Sequence, residues 1–112
     1  MKTVDRFSAQ GDVEFCRVRA LPKAAKAIVA TDARHVVAHS ESGHHHWCDA
    51  EGVSYYRDPG NAFVCYLRSE HAVDIVHARP HHTHETQRLT PGIWKITRQR
   101  EYTPQGYRRV ED

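Results

Sequence analysis

The chain has 112 residues, 39% of them hydrophobic and 27% charged, which predicts one globular domain over residues 1–112 and leaves no room for a second. Lysine and arginine number 16 against 14 acidic residues, and they are scattered, which argues against a nucleic-acid partner. The N-terminal residues are charged and no apolar run reaches the roughly 18 residues that a membrane helix needs, so we expect a cytoplasmic protein without a membrane partner.

The first patterned segment is residues 12–19, where polar and apolar residues alternate as they do in a half-buried strand. The segment after Pro22, residues 23–29, is rich in alanine but has no helix cap. At most one short helix is therefore expected in the chain.

A hairpin is predicted next. Residues 35–39 and 44–48 are strand-like, and the four residues between them end in Gly43, a residue typical of tight turns. The predicted loop is therefore 40–43.

The rest of the chain alternates short apolar segments with turns. Strands are predicted at 53–56, 62–67, 72–77 and 93–98, a polar histidine-rich connection at 80–86, and a polar tail from about residue 103. The expected fold class is all-β, a small antiparallel β-sandwich or a partly open barrel.

Ten histidines are the unusual feature of the composition. If 40–43 is the loop, His39 and His44 are cross-strand partners, whose side chains lie on one face about 5 Å apart. His46 lies two residues beyond His44 and shares that face, whereas His45 points to the other side. Three imidazoles are thus predicted to converge from one hairpin.

Converging imidazoles favour a metal site, because neutral histidine nitrogens bind divalent first-row metals. The second cluster offers the fourth ligand, with His84 preferred and His81 and His82 as secondary candidates. Zinc is the expected cofactor, and iron, nickel and copper are left open because all of them accept nitrogen ligands.

Three functions remain open at this point. The first is metal binding alone, and the second is a metal-dependent hydrolase or oxygenase with Glu41 or Glu85 as the candidate catalytic base. The third is a structural module whose assembly into a homo-oligomer depends on histidine protonation or metal. The isolated residues His35, His71 and His77 are interpreted as ordinary surface or hydrogen-bonded histidines.

The cysteines and the charged segment near the end carry simpler predictions. Three cysteines without a Cys-x-x-Cys spacing argue against a disulfide framework. The segment 98–102 is dense in charge and is interpreted as a solvated edge or a subunit contact.

Several motifs resemble an uncharacterised family of short proteins found in phages and bacterial genomes. The resemblance covers most of the chain and rests on Gly11–Val13, Val37–Glu41, Gly43–His46, Leu89–Trp94 and Arg98–Pro104. It implies a phage-linked protein, placed in the host cytoplasm if phage-encoded, with histidine at the positions of His39, His44, His46 and His84.

A looser resemblance is to cupins, which are metal-binding β-barrels. His44-x-His46 after a glycine and the turn Leu89–Gly92 are similar to the two cupin motifs, and the cupin glutamate would fall near Asp49 or Glu51. This resemblance implies a cupin-like barrel around a metal, although the chain is short for a complete one.

Overall fold

The computed structural model describes residues 1–30, 32–39, 45–77, 84–103 and 106–109, with the backbone alone for residues 84, 100–103 and 106–109. Within these ranges the chain forms thirteen β-strands and no helix. The strands are β1 (Lys2–Val4), β2 (Phe7–Gln10), β3 (Val13–Val18), β4 (Lys26–Ile28), β5 (Arg34–Ala38), β6 (His46–Asp49), β7 (Val53–Asp58), β8 (Asn61–Ser69), β9 (Val73–His77), β10 (His84–Leu89), β11 (Gly92–Arg98), β12 (Arg100–Thr103) and β13 (Gly106–Arg109).

Eleven of these strands form two sheets, which confirms the all-β prediction. The five-stranded sheet has the order β1-β10-β9-β6-β5, and the six-stranded sheet has the order β2-β3-β11-β8-β7-β4. All pairings are antiparallel except that of β1 with β10, and no described strand pair joins the two sheets into a closed barrel. The remaining strands, β12 and β13, pair with each other.

The core lies between the two sheets, because alternate residues of each strand point inwards. The six-stranded sheet supplies Phe15, Leu67 and Trp94, and the five-stranded sheet supplies Ile75 and Leu89, all at most 2% exposed. Alternation of apolar and polar residues thus decides which face of each sheet is buried. This arrangement is the sandwich expected from the sequence.

Two segments differ from their predicted structures. Residues 26–28 form the edge strand β4, whose three residues are exposed and which pairs with β7, where one short helix was considered. Residues 84–86 begin β10, whereas they were assigned to a polar connection. Both segments are strands because each pairs with a neighbouring strand. The amino-acid composition of one segment alone does not reveal such pairing.

Candidate histidine site

The sheet order brings the two histidine clusters to one place. Strand β6 pairs with β9 at the register His46 to His77, and β9 pairs with β10 at His77 to His84. On the other side of β6, His46 lies opposite Ala38, the last residue of β5. We call the row Ala38, His46, His77 and His84 the histidine end of the five-stranded sheet.

Both histidine-rich connections leave the sheet at the histidine end, since β5 and β9 finish there and β6 and β10 begin there. Only His35 and His71 lie away from this end and its two connections. The eight other histidines are in the row or in the connections 39–45 and 78–83: His39, His44, His45, His46, His77, His81, His82 and His84.

His46 is held in the core by a glutamine from the opposite sheet. The Gln10 amide nitrogen donates to the carbonyl oxygens of Ile75 and Glu85, at 2.9 and 3.0 Å. The Gln10 amide oxygen is therefore the acceptor for His46 Nδ1, 2.8 Å away. It follows that Nδ1 carries the ring proton and that Nε2 carries the lone pair whenever the ring is neutral.

A buried carboxylate and a buried guanidinium lie beside this imidazole. Asp12, in the turn between β2 and β3, has its Oδ1 3.6 Å from His46 Nε2. Its Oδ2 lies 3.8 Å from Nε of Arg98, whose side chain is only 10% exposed. Both separations exceed a direct hydrogen bond between these atoms, and the opposite charges of Asp12 and Arg98 attract each other electrostatically.

His77 packs on the other face of the site. Its ring is fully buried and stacks on His46, with the centroids 3.8 Å apart and the planes 21° from parallel. Imidazole binds a metal in the plane of its ring, so two stacked rings do not direct their nitrogens at one ion. His77 therefore fixes the orientation of His46 by packing.

The hairpin places His39 differently from the sequence-based expectation. His39 is exposed, and its ring meets His45 edge to face at a centroid distance of 4.9 Å, whereas it was expected to share a face with His46. The cause is a register shift between Val36 and Ala38, which changes the alternation of β5 before it reaches His39. The predicted partner His44 lies outside the described residues.

The remaining predicted site residues are only partly described. The side chain of Glu85 is 59% exposed, and its Oε1 forms an ion pair with the Met1 amine at 2.9 Å. The backbone of His84 lies opposite that of His77. Glu41, His81 and His82 lie outside the described residues, and among those described no group of three histidine, cysteine or acidic side chains is arranged to hold a metal ion.

The buried cysteines offer no thiolate to this end of the sheet. Burial raises the pKa of the thiols of Cys48 and Cys65 from 9.0 to about 12, so both are protonated at neutral pH. All three cysteines are free, and Cys16 is exposed. Imidazole nitrogen is therefore the type of metal ligand that this end of the sheet offers.

Sequence reasoning missed four members of this cluster. They are Gln10, Asp12, His77 and Arg98, all with side chains 10% exposed or less. For His77 and Arg98 a signal existed, because each continues an inward row of its strand, after Ile75 and after Ile96. Gln10 and Asp12 gave no such signal, since the residues that they contact lie far away in the sequence.

Comparison with known proteins places the chain in a family. No curated protein and no solved structure matches the sequence. The described part of the chain contains no helix long and apolar enough to cross a membrane. A family model does match residues 9–99, which include both histidine clusters and every strand from β3 to β11. The chain thus belongs to the family described as Domain of unknown function (DUF8820).

Proposed function

We propose that this protein binds a divalent transition-metal ion at the histidine end, through ligands drawn from His39, His44, His46 and His84. The pairing of β6 with β9 carries the proposal, because it brings the strands that border both histidine-rich connections to one end of one sheet. Histidines so concentrated supply the neutral nitrogen ligands that such metals prefer.

The hydrogen bond from His46 to Gln10 supports this role. Metal-binding histidines usually donate their second ring N–H to a carbonyl or carboxylate oxygen, which fixes the tautomer and the ring orientation. Gln10 performs this task for Nδ1, so Nε2, which lies 3.6 Å from Asp12 Oδ1, would be the nitrogen that binds the metal. The stacked ring of His77 restricts rotation of the same imidazole.

The register supports the inclusion of His84. Directly opposed residues on neighbouring strands share a face of the sheet. His84 occupies the position opposite His77, which in turn lies opposite His46. His81 and His82, in the connection that ends at His84, are the secondary ligands of the proposal.

Zinc is the first metal to test, because a site of nitrogen ligands with an open fourth position is typical of zinc enzymes. The elemental content of protein purified without a histidine tag or nickel column should show about one metal ion per chain. Zinc titration by calorimetry should then show at least a tenfold loss of affinity in His44→Ala and His46→Gln.

The matched control is His71→Ala, because His71 is exposed and lies away from the histidine end. Its zinc affinity should equal that of the unsubstituted protein. Circular dichroism checks that each variant is folded. The proposal would be refuted if the purified protein contained no metal and if the unsubstituted protein and the three variants all bound zinc with the same weak affinity.

Catalysis, a phage link, self-association and a cytoplasmic location remain predictions. Catalysis as a hydrolase or oxygenase needs a base, and Glu85 is engaged with the Met1 amine in the described structure, so no observation favours catalysis over binding. A phage link is supported by the motif resemblance alone. Self-association and a cytoplasmic location likewise await measurement, the first by oligomer mass with and without chelator between pH 5 and 8.

A further inference from the structure

A second polar feature is a small cavity between the two sheets, near the histidine end. Its volume is about 40 Å³, and its walls come from β5, β7, β8 and β11. The polar and aromatic side chains among its lining are those of His39, Tyr55, Arg57, Phe63, Cys65 and Arg98. We call it the arginine cleft.

Two arginines reach the cleft because each ends an inward-facing row of the six-stranded sheet. In β7 the row runs from Tyr55 to Arg57, and in β11 it runs from Ile96 to Arg98. Arg57 lies opposite Cys65 on β8, and Ile96 lies opposite the same cysteine from the other side. The two arginines therefore flank β8 on the face that looks into the sandwich.

The charges of both arginines act electrostatically on the Cys65 thiol inside the cleft. Burial raises the pKa of the Cys65 thiol, and the guanidinium groups of Arg57 and Arg98 act in the opposite direction. Arg57 is exposed, whereas the Arg98 side chain is 10% exposed. One guanidinium thus lies at the mouth and one in the interior.

The described lining of the cleft is positively charged. It contains no aspartate or glutamate. Asp12 Oδ2 lies 3.8 Å from Nε of Arg98, and Arg57 makes no ion pair with any residue that the structure describes. Two guanidinium groups at one small cavity favour an anion between them.

We propose that the arginine cleft binds a small oxyanion, the phosphate or carboxylate group of a ligand, with Arg57 as its principal contact. The volume agrees with this class of ligand, since at roughly 15 Å³ for each water about three waters fit, and an oxyanion group occupies similar space. The cleft shares His39 with the proposed metal ligands and Arg98 with the polar cluster around His46.

The test uses inorganic phosphate and acetate as probes, at constant ionic strength and with chelator present, so that no metal holds the anion. At least one of them should raise the thermal unfolding temperature of the intact chain in a saturable manner. Arg57→Gln should weaken that anion's apparent affinity at least tenfold. Arg68→Gln, on the exposed face of β8, is the matched control and should leave the affinity unchanged.

Arg57→Lys keeps the charge but removes the planar pair of donors, so its affinity should lie between those of the unsubstituted chain and Arg57→Gln. This variant also serves if Arg57→Gln fails to fold. The proposal is overturned if, with chelator present, neither anion stabilises the chain, or if Arg57→Gln and Arg68→Gln respond alike.

Discussion

Two buried glutamines join the sheets at single-residue scale. Gln10 of β2 donates to the carbonyls of Ile75 and Glu85, and Gln87 of β10 donates to the carbonyl of Ala9 at 2.6 Å. The register shift of β10 between His84 and Gln87 frees the Glu85 carbonyl from regular pairing. Each sheet therefore supplies hydrogen-bond donors to backbone carbonyls of the other sheet. The hydrogen bond between Gln10 and His46 also sets the tautomer of His46.

Replacing Gln10 should cost more than replacing an exposed glutamine. Gln10→Leu keeps the approximate volume but leaves two carbonyls and His46 Nδ1 without their partner, a loss of about 3 kcal/mol in the free energy of unfolding. Urea unfolding monitored by tryptophan fluorescence measures it. Gln99→Leu, at an exposed position, should change the free energy by less than about 0.5 kcal/mol. Equal midpoints for the two variants would show that the buried amide contributes nothing.

At this scale the sequence identified the histidines but not what holds them. His46 was predicted from its spacing of two residues to His44, because strand alternation is a local property. The contact of Gln10 with His46 joins residues 36 positions apart, and no local pattern encodes it. The exposed position of His39 was missed for a different reason, since a register shift within β5 leaves no mark in its composition.

At the scale of the element, the strands with apolar alternation were predictable, whereas three of the four edge strands of the two large sheets, β1, β2 and β4, were not. The predicted strands at 12–19, 35–39, 44–48, 53–56, 62–67, 72–77 and 93–98 correspond to β3, β5, β6, β7, β8, β9 and β11. The strands β1 and β4 have three residues each and lie at sheet edges, where exposure removes the hydrophobic pattern. Their pairing partners, rather than their own residues, make them strands.

The turn between β6 and β7 depends on a glycine. Gly52 has φ of +71°, and a Cβ there would collide with the imidazole of His71. Gly52→Ala should therefore lower the free energy of unfolding by about 1–2 kcal/mol, because left-handed backbone is costly for other residues. For a chain of this size that loss lowers the melting temperature by at least roughly 4 °C.

Gly60→Ala is the control for Gly52→Ala. Gly60 also lies in a turn, but its φ is not positive, and a Cβ would lie 3.4 Å from the Asp58 carboxylate, an ordinary contact. Calorimetry should find this variant within about 0.5 kcal/mol of the unsubstituted chain, as for most surface changes. A melting temperature reduced equally by both substitutions would contradict the role given to the left-handed turn.

At the scale of the whole molecule, one core holds two thiols, Cys48 from the five-stranded sheet and Cys65 from the six-stranded sheet. Burial raises both pKa values from 9.0 to about 12. In the unfolded chain the same thiols ionise from about pH 9. Between pH 9 and about pH 12 the two thiols therefore keep their protons only in the folded state. Rising pH in this range favours unfolding.

The free energy of unfolding should therefore fall between pH 9 and 12, by about 1.4 kcal/mol per pH unit for each buried thiol. Urea unfolding at intervals of half a pH unit gives the slope. Cys65→Ala should remove one thiol's share of that slope, whatever it does to stability at pH 7. Cys16→Ser is the control, because Cys16 is exposed and should leave the slope unchanged. A slope independent of Cys65 would contradict its burial.

The two-layer architecture was predictable from the number of alternating segments and their turns, but the order of strands was not. Adjacent hairpins such as β5 with β6 follow from short connections. The pairing of β6 with β9 joins residues about thirty positions apart, and it is this pairing that assembles the histidine end. The metal proposal therefore depends on the long-range feature that local patterns do not contain.

Strand β11 is the last strand of either large sheet along the chain, yet it lies in the middle of the six-stranded sheet, between β3 and β8. Until residue 98 leaves the ribosome during synthesis, the six-stranded sheet is divided into two parts with open edges. One part is the β2–β3 hairpin, and the other consists of β4, β7 and β8. Open edges recruit other chains. We therefore expect aggregation during translation to increase with the delay before β11 emerges, and chains that stop before residue 92 to accumulate as insoluble material.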